Sequence, residues 1–238
     1  MEVVLGLSEN SSEGDSKFYQ DAEEYWAAIE PTVDGMLGGF GCLSSTDIKG
    51  SDLFLKKILN NQKNQMPNKR ALDCGAGIGR VTKNLLIKHF DKVDLVEQNS
   101  KFIEAAKKFL NCENHVGDFF VCGLQSFTPK HNFYDVIWCQ WVLGHLTDNH
   151  LVDFLIRCKN GLKKNGFIII KENVSSGDLI VDEQDSSITR SNNVYLKLFK
   201  DAGLNIIKQS KQANFPKQLM CVKLFALQSI SSNDMTNR

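Results

Sequence analysis

The sequence predicts an α/β chain built on a mostly parallel sheet. Apolar runs of strand length alternate with helical patterns from residue 70 onward. Leu72-Asp73-Cys74-Gly75-Ala76-Gly77-Ile78-Gly79-Arg80 ends one such run in an acid, turns through three alternating glycines and opens into a helical pattern. Glycine there lets a ligand lie against bare backbone and tolerates positive φ. A second acid, Glu97, closes the next run, Val93-Asp94-Leu95-Val96, where a carboxylate can accept both hydroxyls of a ribose. Two parallel strands are thus expected to present a nucleoside-bearing cofactor at their carboxyl ends.

The elements follow in order. Residues 1–15 read as a disordered N-terminus, polar through SENSSEGD. Residues 16–29 carry Phe18, Tyr19, Ala22, Tyr25, Trp26 and Ile29 near one helical face, with Asp15 or Ser16 as cap and Pro31 as stop. A glycine-rich loop, PTVDGMLGGFG from Pro31, leads to a helix near 51–60. Strands are expected at 70–74, 92–96, 119–122, 134–138 and 167–172, and helices at 79–90, 100–110, 148–162 and 192–202. Gly203 is the expected C-cap of the last helix. The final runs, 205–212 and 219–227, are joined by a short link containing Pro216, which favours an antiparallel pair at the sheet edge. Residues 16–227 form one domain, with 16–60 as N-terminal helices and glycine lid; 228–238 read as a disordered tail.

Composition excludes several classes. Twenty-eight basic residues balance 28 acidic ones, so no broad field favours nucleic acid or an anionic membrane. Seven cysteines, an odd count without a C-x-x-C pair, suggest reduced thiols rather than a disulfide frame. Cys42, Cys74, Cys139 and Cys158 are expected as small core residues. No apolar run is long enough to cross a bilayer, and Met1 to Leu7 lack the basic flank of a secretory signal.

The glycine loop discriminates between cofactors. Dinucleotide sites favour G-x-G-x-x-G; here the spacing is G-x-G-x-G with Asp73 inside the turn. A carboxylate aimed at a pyrophosphate repels it, whereas one beside a zwitterionic amino acid and a sulfonium does not. The loop is therefore read as a site for the methyl donor S-adenosyl-L-methionine. Ligands in such sheets bind beyond the carboxyl ends of the strands, which gathers Gly123-Leu124-Gln125, Gln140-Trp141, Gly144-His145, Asn173 and the insertion holding Asp182, Asp185, Ser186 and Ser187 at one mouth. Taken singly, Trp26 fits a core helix, Arg80 a solvated first turn, His145 a capping or core histidine, and the Asp-Ser run an exposed loop.

At these residues the chain resembles the eukaryotic protein α-N-terminal methyltransferases, which modify proteins beginning Xaa-Pro-Lys once the initiator Met is removed. The matching segments are Tyr25-Trp26, PTVDGMLGGFG, LDCGAGIGR, CGLQSFTP from Cys122, YDVIWCQWVLGHLTD from Tyr134, KEN from Lys171 and Asp182 to Ser187. The resemblance implies a Rossmann-like class I S-adenosylmethionine-dependent methyltransferase with a mostly parallel seven-stranded sheet, an antiparallel C-terminal edge hairpin and an N-terminal helical lid. It implies a donor site of Gly75, Arg80, Glu97, Gln98, Leu124, Gln125 and Gln140 closed by Trp26, with Arg80 on the donor's carboxylate. It implies that Asp185 and His145 act on the amine, that Asp182, Asp185 and Ser187 hold the third-position lysine, and that Asn173 fixes the first carbonyl. Trp141 and Leu37 would pack the second-position proline, and Leu219, next to Met220, would also bind the substrate. Where some relatives carry an aromatic hydroxyl, this chain has Met220, which fills space but donates no strong hydrogen bond.

The chemistry suits a chain terminus. An α-amino group has a pKa near ~8 against ~10.4 for lysine, a gap worth roughly 3.3 kcal/mol in deprotonation. A carboxylate near the amine attracts it but also favours its protonated form, so one acid does not serve both tasks unaided. The expected partners are Xaa-Pro-Lys protein or peptide N-termini, with no direct nucleic acid, no membrane and a monomeric chain; nucleus and cytoplasm are the locations the family implies. Two other classes remain open on sequence alone: methylation of a small amine or hydroxyl metabolite, and an idle binder of protein N-termini.

Overall fold

A computed structural model describes residues 11–60, 69–111 and 114–229. The chain begins with α1 (Ser11–Ala28) and α2 (Ser44–Leu59), then enters the sheet at β1 (Arg70–Cys74). There follow α3 (Arg80–Asn84), β2 (Lys92–Glu97), α4 (Ser100–Leu110), β3 (Val116–Val121), β4 (Tyr134–Gln140), α5 (Asp148–Gly161) and β5 (Leu162–Val174). A small hairpin, β6 (Ile180–Asp182) and β7 (Ser187–Thr189), precedes α6 (Asn192–Asp201), β8 (Leu204–Lys211) and β9 (Cys221–Ser229).

The main sheet has seven strands in the order β3-β2-β1-β4-β5-β9-β8. All pairs from β3 to β5 are parallel; β9 runs antiparallel to both β5 and β8. The expected C-terminal hairpin is therefore present, with β8 at the edge and β9 inserted beside β5. Strand order reverses direction between β1 and β4, so their carboxyl ends border the crevice where such sheets bind ligands.

Alternation along the strands builds the two faces. Ile137 and Cys139 of β4, with Ile168 and Ile170 of β5, pack against Leu151, Phe154, Leu155 and Cys158 of α5 and Tyr195, Leu198 and Phe199 of α6. Val136, Trp138, Phe167 and Ile169 face the other way, onto Phe54, Leu55 and Ile58 of α2 and Val81 of α3. β4 is buried along its whole length, as a central parallel strand must be. Six free cysteines lie among the described residues; Cys74, Cys139 and Cys158 are core, but Cys42 is exposed, contrary to the sequence expectation.

Other departures have physical causes. α1 starts at Ser11, so residues 11–15 of the expected disordered segment are helical, while residues 1–10 lie outside the described residues. Gln228 and Ser229 likewise belong to β9 rather than to a tail, whose remaining residues 230–238 are outside the described set. α2 begins at Ser44, seven residues early, because a 3-10 turn (Gly41–Leu43) feeds directly into it. The helix expected over 79–90 breaks at Leu85 and resumes as a 3-10 turn (Leu86–Lys88), which lets adjacent Leu85 and Leu86 both be fully buried.

Candidate active site

Two cavities open at the crevice and meet. The first, about 880 Å³, runs from the glycine turn after β1 past Glu97 to Leu124 and Gln125. The second, about 1260 Å³, runs between the Met36–Phe40 segment, the β6–β7 hairpin and the Phe215–Met220 link. Trp26, Met36, Trp141 and His145 line both and form the junction.

The first cavity is shaped by backbone. Gly75, Gly77 and Gly79 all have positive φ (67°, 54° and 77°). A Cβ on Gly75 would lie 2.3 Å from the Val142 side chain, and one on Gly77 2.6 Å from Met36 Sδ. The turn is tight against β4's exit and against the N-terminal lid, so glycine is required by close approach as well as by dihedral. Glu97 Oε2 accepts from Gly77 N at 3.0 Å and Oε1 from Asn99 N at 2.9 Å, leaving further lone pairs toward the cavity. Its burial raises its pKa, opposed by these backbone N–H groups.

Asp73 departs from expectation. Its Oδ2 accepts from Thr82 Oγ1 at 2.6 Å and Thr82 N at 3.1 Å, and it is absent from the residues lining the cavity. Burial pushes its pKa up to about 6. It pins α3 to β1 rather than facing the ligand, because β1's pleat turns it inward.

The floor between the cavities is a buried ionic cluster that sequence reasoning missed. Asp47 of α2 is fully buried. It accepts from Arg80 Nη1 at 2.8 Å, from Gln140 Nε2 at 3.0 Å on each oxygen, and from Lys171 Nζ. Lys171 Nζ also donates to Ser51 Oγ at 2.9 Å and Gln212 Oε1 at 2.7 Å. Burial lowers the Lys171 pKa, opposed by Asp47. Two cations share one carboxylate, so the cluster carries excess positive charge where Arg80 and Gln140 reach the first cavity.

The turn after β4 carries the other key side chains. Trp141 takes φ 51°, a strained conformation for a bulky residue. Glu172 Oε1 holds the turn by accepting from Val142 N and Leu143 N, both at 2.9 Å. Arg190, fully buried, donates to the carbonyls of Leu143 at 2.9 Å and Leu146 at 2.5 Å. Between these clamps lies a 3-10 turn (Leu143–His145). His145 Nε2 accepts from Trp26 Nε1 at 3.1 Å, and its Nδ1 lies 3.3 Å from the Ser186 carbonyl. Burial lowers the His145 pKa, partly offset by Asp185 and the Ser186 carbonyl.

Most expected site residues converge. Trp26, Gly75, Arg80, Glu97, Gln98, Leu124, Gln125 and Gln140 line the first cavity; Leu37, Trp141, Asn173, Asp185, Ser187 and Leu219 line the second. Met220 sits at the rim of the second, 47 % exposed. Asp182 does not join them. It is exposed at the end of β6, its Oδ1 accepting from Gln184 N at 2.9 Å, because the hairpin directs β7 rather than β6 toward the groove. Arg80 reaches the cavity already paired with Asp47 instead of free. Asp47, Glu172 and Met36 were not anticipated: only their tertiary placement distinguishes them from ordinary helix, strand and loop residues.

The lining fits S-adenosylmethionine. Glu97 would accept the ribose hydroxyls, the apolar Leu124 and Phe102 would flank the adenine, and the positive cluster behind Arg80 would receive the carboxylate. A parallel sheet of this order, with this cavity at its switch point, defines a class I S-adenosylmethionine-dependent methyltransferase. Within that class, the chain belongs to the AdoMet-dependent proline di-methyltransferase family, whose profile matches residues 14–228. It is 49 % identical over 223 residues to N-terminal Xaa-Pro-Lys N-methyltransferase 1-A of Xenopus laevis, covering 93 % of this chain and all of the relative. The human N-terminal Xaa-Pro-Lys N-methyltransferase 1 is 47 % identical over 216 residues, 90 % of this chain and 97 % of the relative. A solved S-adenosylmethionine-dependent methyltransferase from Leishmania major superposes with TM-score 0.82 at 39 % identity, covering 89 % of this chain and 83 % of its own. A phosphoethanolamine N-methyltransferase of Haemonchus contortus shares the fold at TM-score 0.69 and 16 % identity, covering 92 % of this chain and 50 % of its own.

Two outcomes are expected. Asp47→Asn leaves Lys171 and Arg80 without their shared charge and lowers unfolding free energy in urea by roughly 3–5 kcal/mol; an unchanged midpoint would show that the cluster does not tie the helices to the sheet. Burial pushes the Glu172 pKa from its ordinary 4.5 up to about 7. The folded chain thus binds that proton more tightly, and Glu172 costs stability increasingly as pH rises through 7. Glu172→Gln should gain on the parent between about pH 5 and 8, by about 2–3 kcal/mol at the upper end; a pH-independent difference in thermal or urea unfolding would refute this.

Proposed function

We propose that this methyltransferase acts on the α-amino group of polypeptides with an exposed Xaa-Pro-Lys start, adding methyl groups from S-adenosylmethionine. One observation carries the reading. The second cavity holds two buried polar atoms without partners, Trp141 Nε1 and Asp185 Oδ1. One is a donor and the other an acceptor, so an occupant must offer the converse pair. A polypeptide start does so within a few atoms: a backbone carbonyl for the indole N–H and an amine N–H for the carboxylate. The names of the close relatives supply the Xaa-Pro-Lys preference.

The residues divide the work. When bound, S-adenosylmethionine supplies a methyl group on a sulfonium, which the amine's lone pair takes by in-line displacement, leaving a neutral thioether. The amine must first lose a proton, which passes to solvent water, and an α-amine near pKa ~8 gives it up more readily than a lysine side chain. Asp185 Oδ1 orients the amine and accepts its N–H. Uncharged His145, beside Asp185, adds no repulsion to an arriving ammonium. Its Nε2 lone pair is engaged by Trp26, so His145 takes a proton only after that bond breaks. Trp141 and Leu37 supply an apolar slot for proline, whose fixed φ lowers the ordering cost. Asn173 serves the first carbonyl, and Ser187 with Asp185 the third-position ammonium, with exposed Asp182 beyond the wall.

Incubating the protein with labelled donor and a peptide beginning Ser-Pro-Lys-Arg should give incorporation at the α-amine, read by mass spectrometry of the product. Absence of incorporation, with an active relative working in parallel, would overturn the reading. Asp185→Asn is expected to lower turnover by about 10²–10⁴-fold while leaving the unfolding midpoint unchanged. Parental turnover in that variant would remove Asp185 from the reaction.

A further inference from the structure

The lid helix hydrogen-bonds directly to the imidazole at the junction. Tyr19 and Trp26 lie seven residues apart, two turns along one face of α1. Tyr19 Oη sits 2.6 Å from His150 Nδ1 and accepts from Thr147 N at 3.3 Å, while Trp26 Nε1 donates to His145 Nε2 at 3.1 Å. At the far end, Lys101 Nζ donates to the carbonyls of Ala27 and Ile29 at 3.2 and 3.0 Å. α1 is thus fastened to the segment after β4 and to α4.

An indole nitrogen only donates. Nε2 of His145 must therefore present its lone pair, and the proton of the neutral ring must sit on Nδ1, facing the Ser186 carbonyl. An imidazolium carries N–H at both nitrogens and would oppose two donors across the 3.1 Å gap. Asp185 of the β6–β7 turn is the charged group acting on the ring; Glu172 of β5, Asp47 of α2 and Tyr25 of α1 line the same groove without a hydrogen bond to it.

We propose that Trp26 is a positioning residue for His145: its indole N–H, brought by the lid helix, holds the imidazole as the uncharged Nδ1–H tautomer where the two cavities meet. Removing that donor withdraws a bond made only to the neutral ring. The inference rests on the proposed action on polypeptide α-amines at these cavities, but its test needs neither donor nor peptide.

Nitrogen-15 spectra of the full chain labelled at histidine, with His145 assigned against His145→Gln, report tautomer and titration directly. The parent should show a single Nδ1–H species at neutral pH, titrating below ordinary histidine. Trp26→Phe, which keeps an aromatic ring but removes the N–H, should mix the tautomers and raise the midpoint by about half a unit or more. A parent ring protonated on Nε2 would overturn the proposal without recourse to any variant, as would an unchanged tautomer and midpoint in Trp26→Phe. The expected spectra in a chain that methylates no peptide would uphold the latch while removing the acceptor reading.

Discussion

One buried carboxylate sets the relation among the parts of this enzyme. Asp47, on a helix outside the sheet, receives Lys171 from the end of β5, Gln140 from the end of β4 and Arg80 from the first turn after the glycines. Those groups lie 124, 93 and 33 residues away in sequence, respectively. Charges removed from water are costly unless paired and fully hydrogen-bonded. The three elements are therefore constrained to arrive together, and the glycine turn, the β4 exit and the β5 exit share one floor. The same constraint holds α2 and the glycine segment before it over the crevice, since Asp47 has no comparable set of partners elsewhere.

Above that floor the site is built in layers. Glu172 and Arg190 grip the turn after β4 from opposite ends, one taking its N–H groups and the other giving to its carbonyls. This fixes Trp141 and His145 relative to the sheet. The lid contributes Trp26 and Met36 to the same junction, so neither cavity is complete without the N-terminal segment. The donor side is made mainly of strand ends and backbone, the acceptor side of loop and hairpin side chains. That partition matches their chemistry: a common cofactor needs a fixed cradle, while choice among polypeptides needs variable walls.

Much of this was legible in the residues. β1 and α4 fall where a short apolar run and a helical apolar pattern place them, because the glycine turn closes the one and the Asn99 cap opens the other. Glu97 and Gln125 reached the first cavity because strand ends in a parallel sheet converge by topology. The failures are equally specific. Asp47 sits in a helix whose polar positions look solvated, and nothing local reveals that its partners come from three distant elements. Asp73 looked like a ligand-facing acid, yet a Thr82 hydroxyl and N–H claim it. The β6–β7 hairpin has no Asn-Gly or Asp-Gly turn to announce it and places Ser186 at φ 52° instead. Without that hairpin, the orientation of Asp182 away from the groove was unreadable.

Trp141 leaves the sheet in a backbone conformation that bulky residues avoid, yet its ring forms part of both walls. Two peptide N–H bonds to Glu172 hold the neighbouring residues in register, so the backbone that carries the ring is tied to β5. A surface that stiff selects by refusal. An occupant too broad for the gap meets an obstacle that does not yield, and discrimination arises from what fails to enter rather than from added grip on what does.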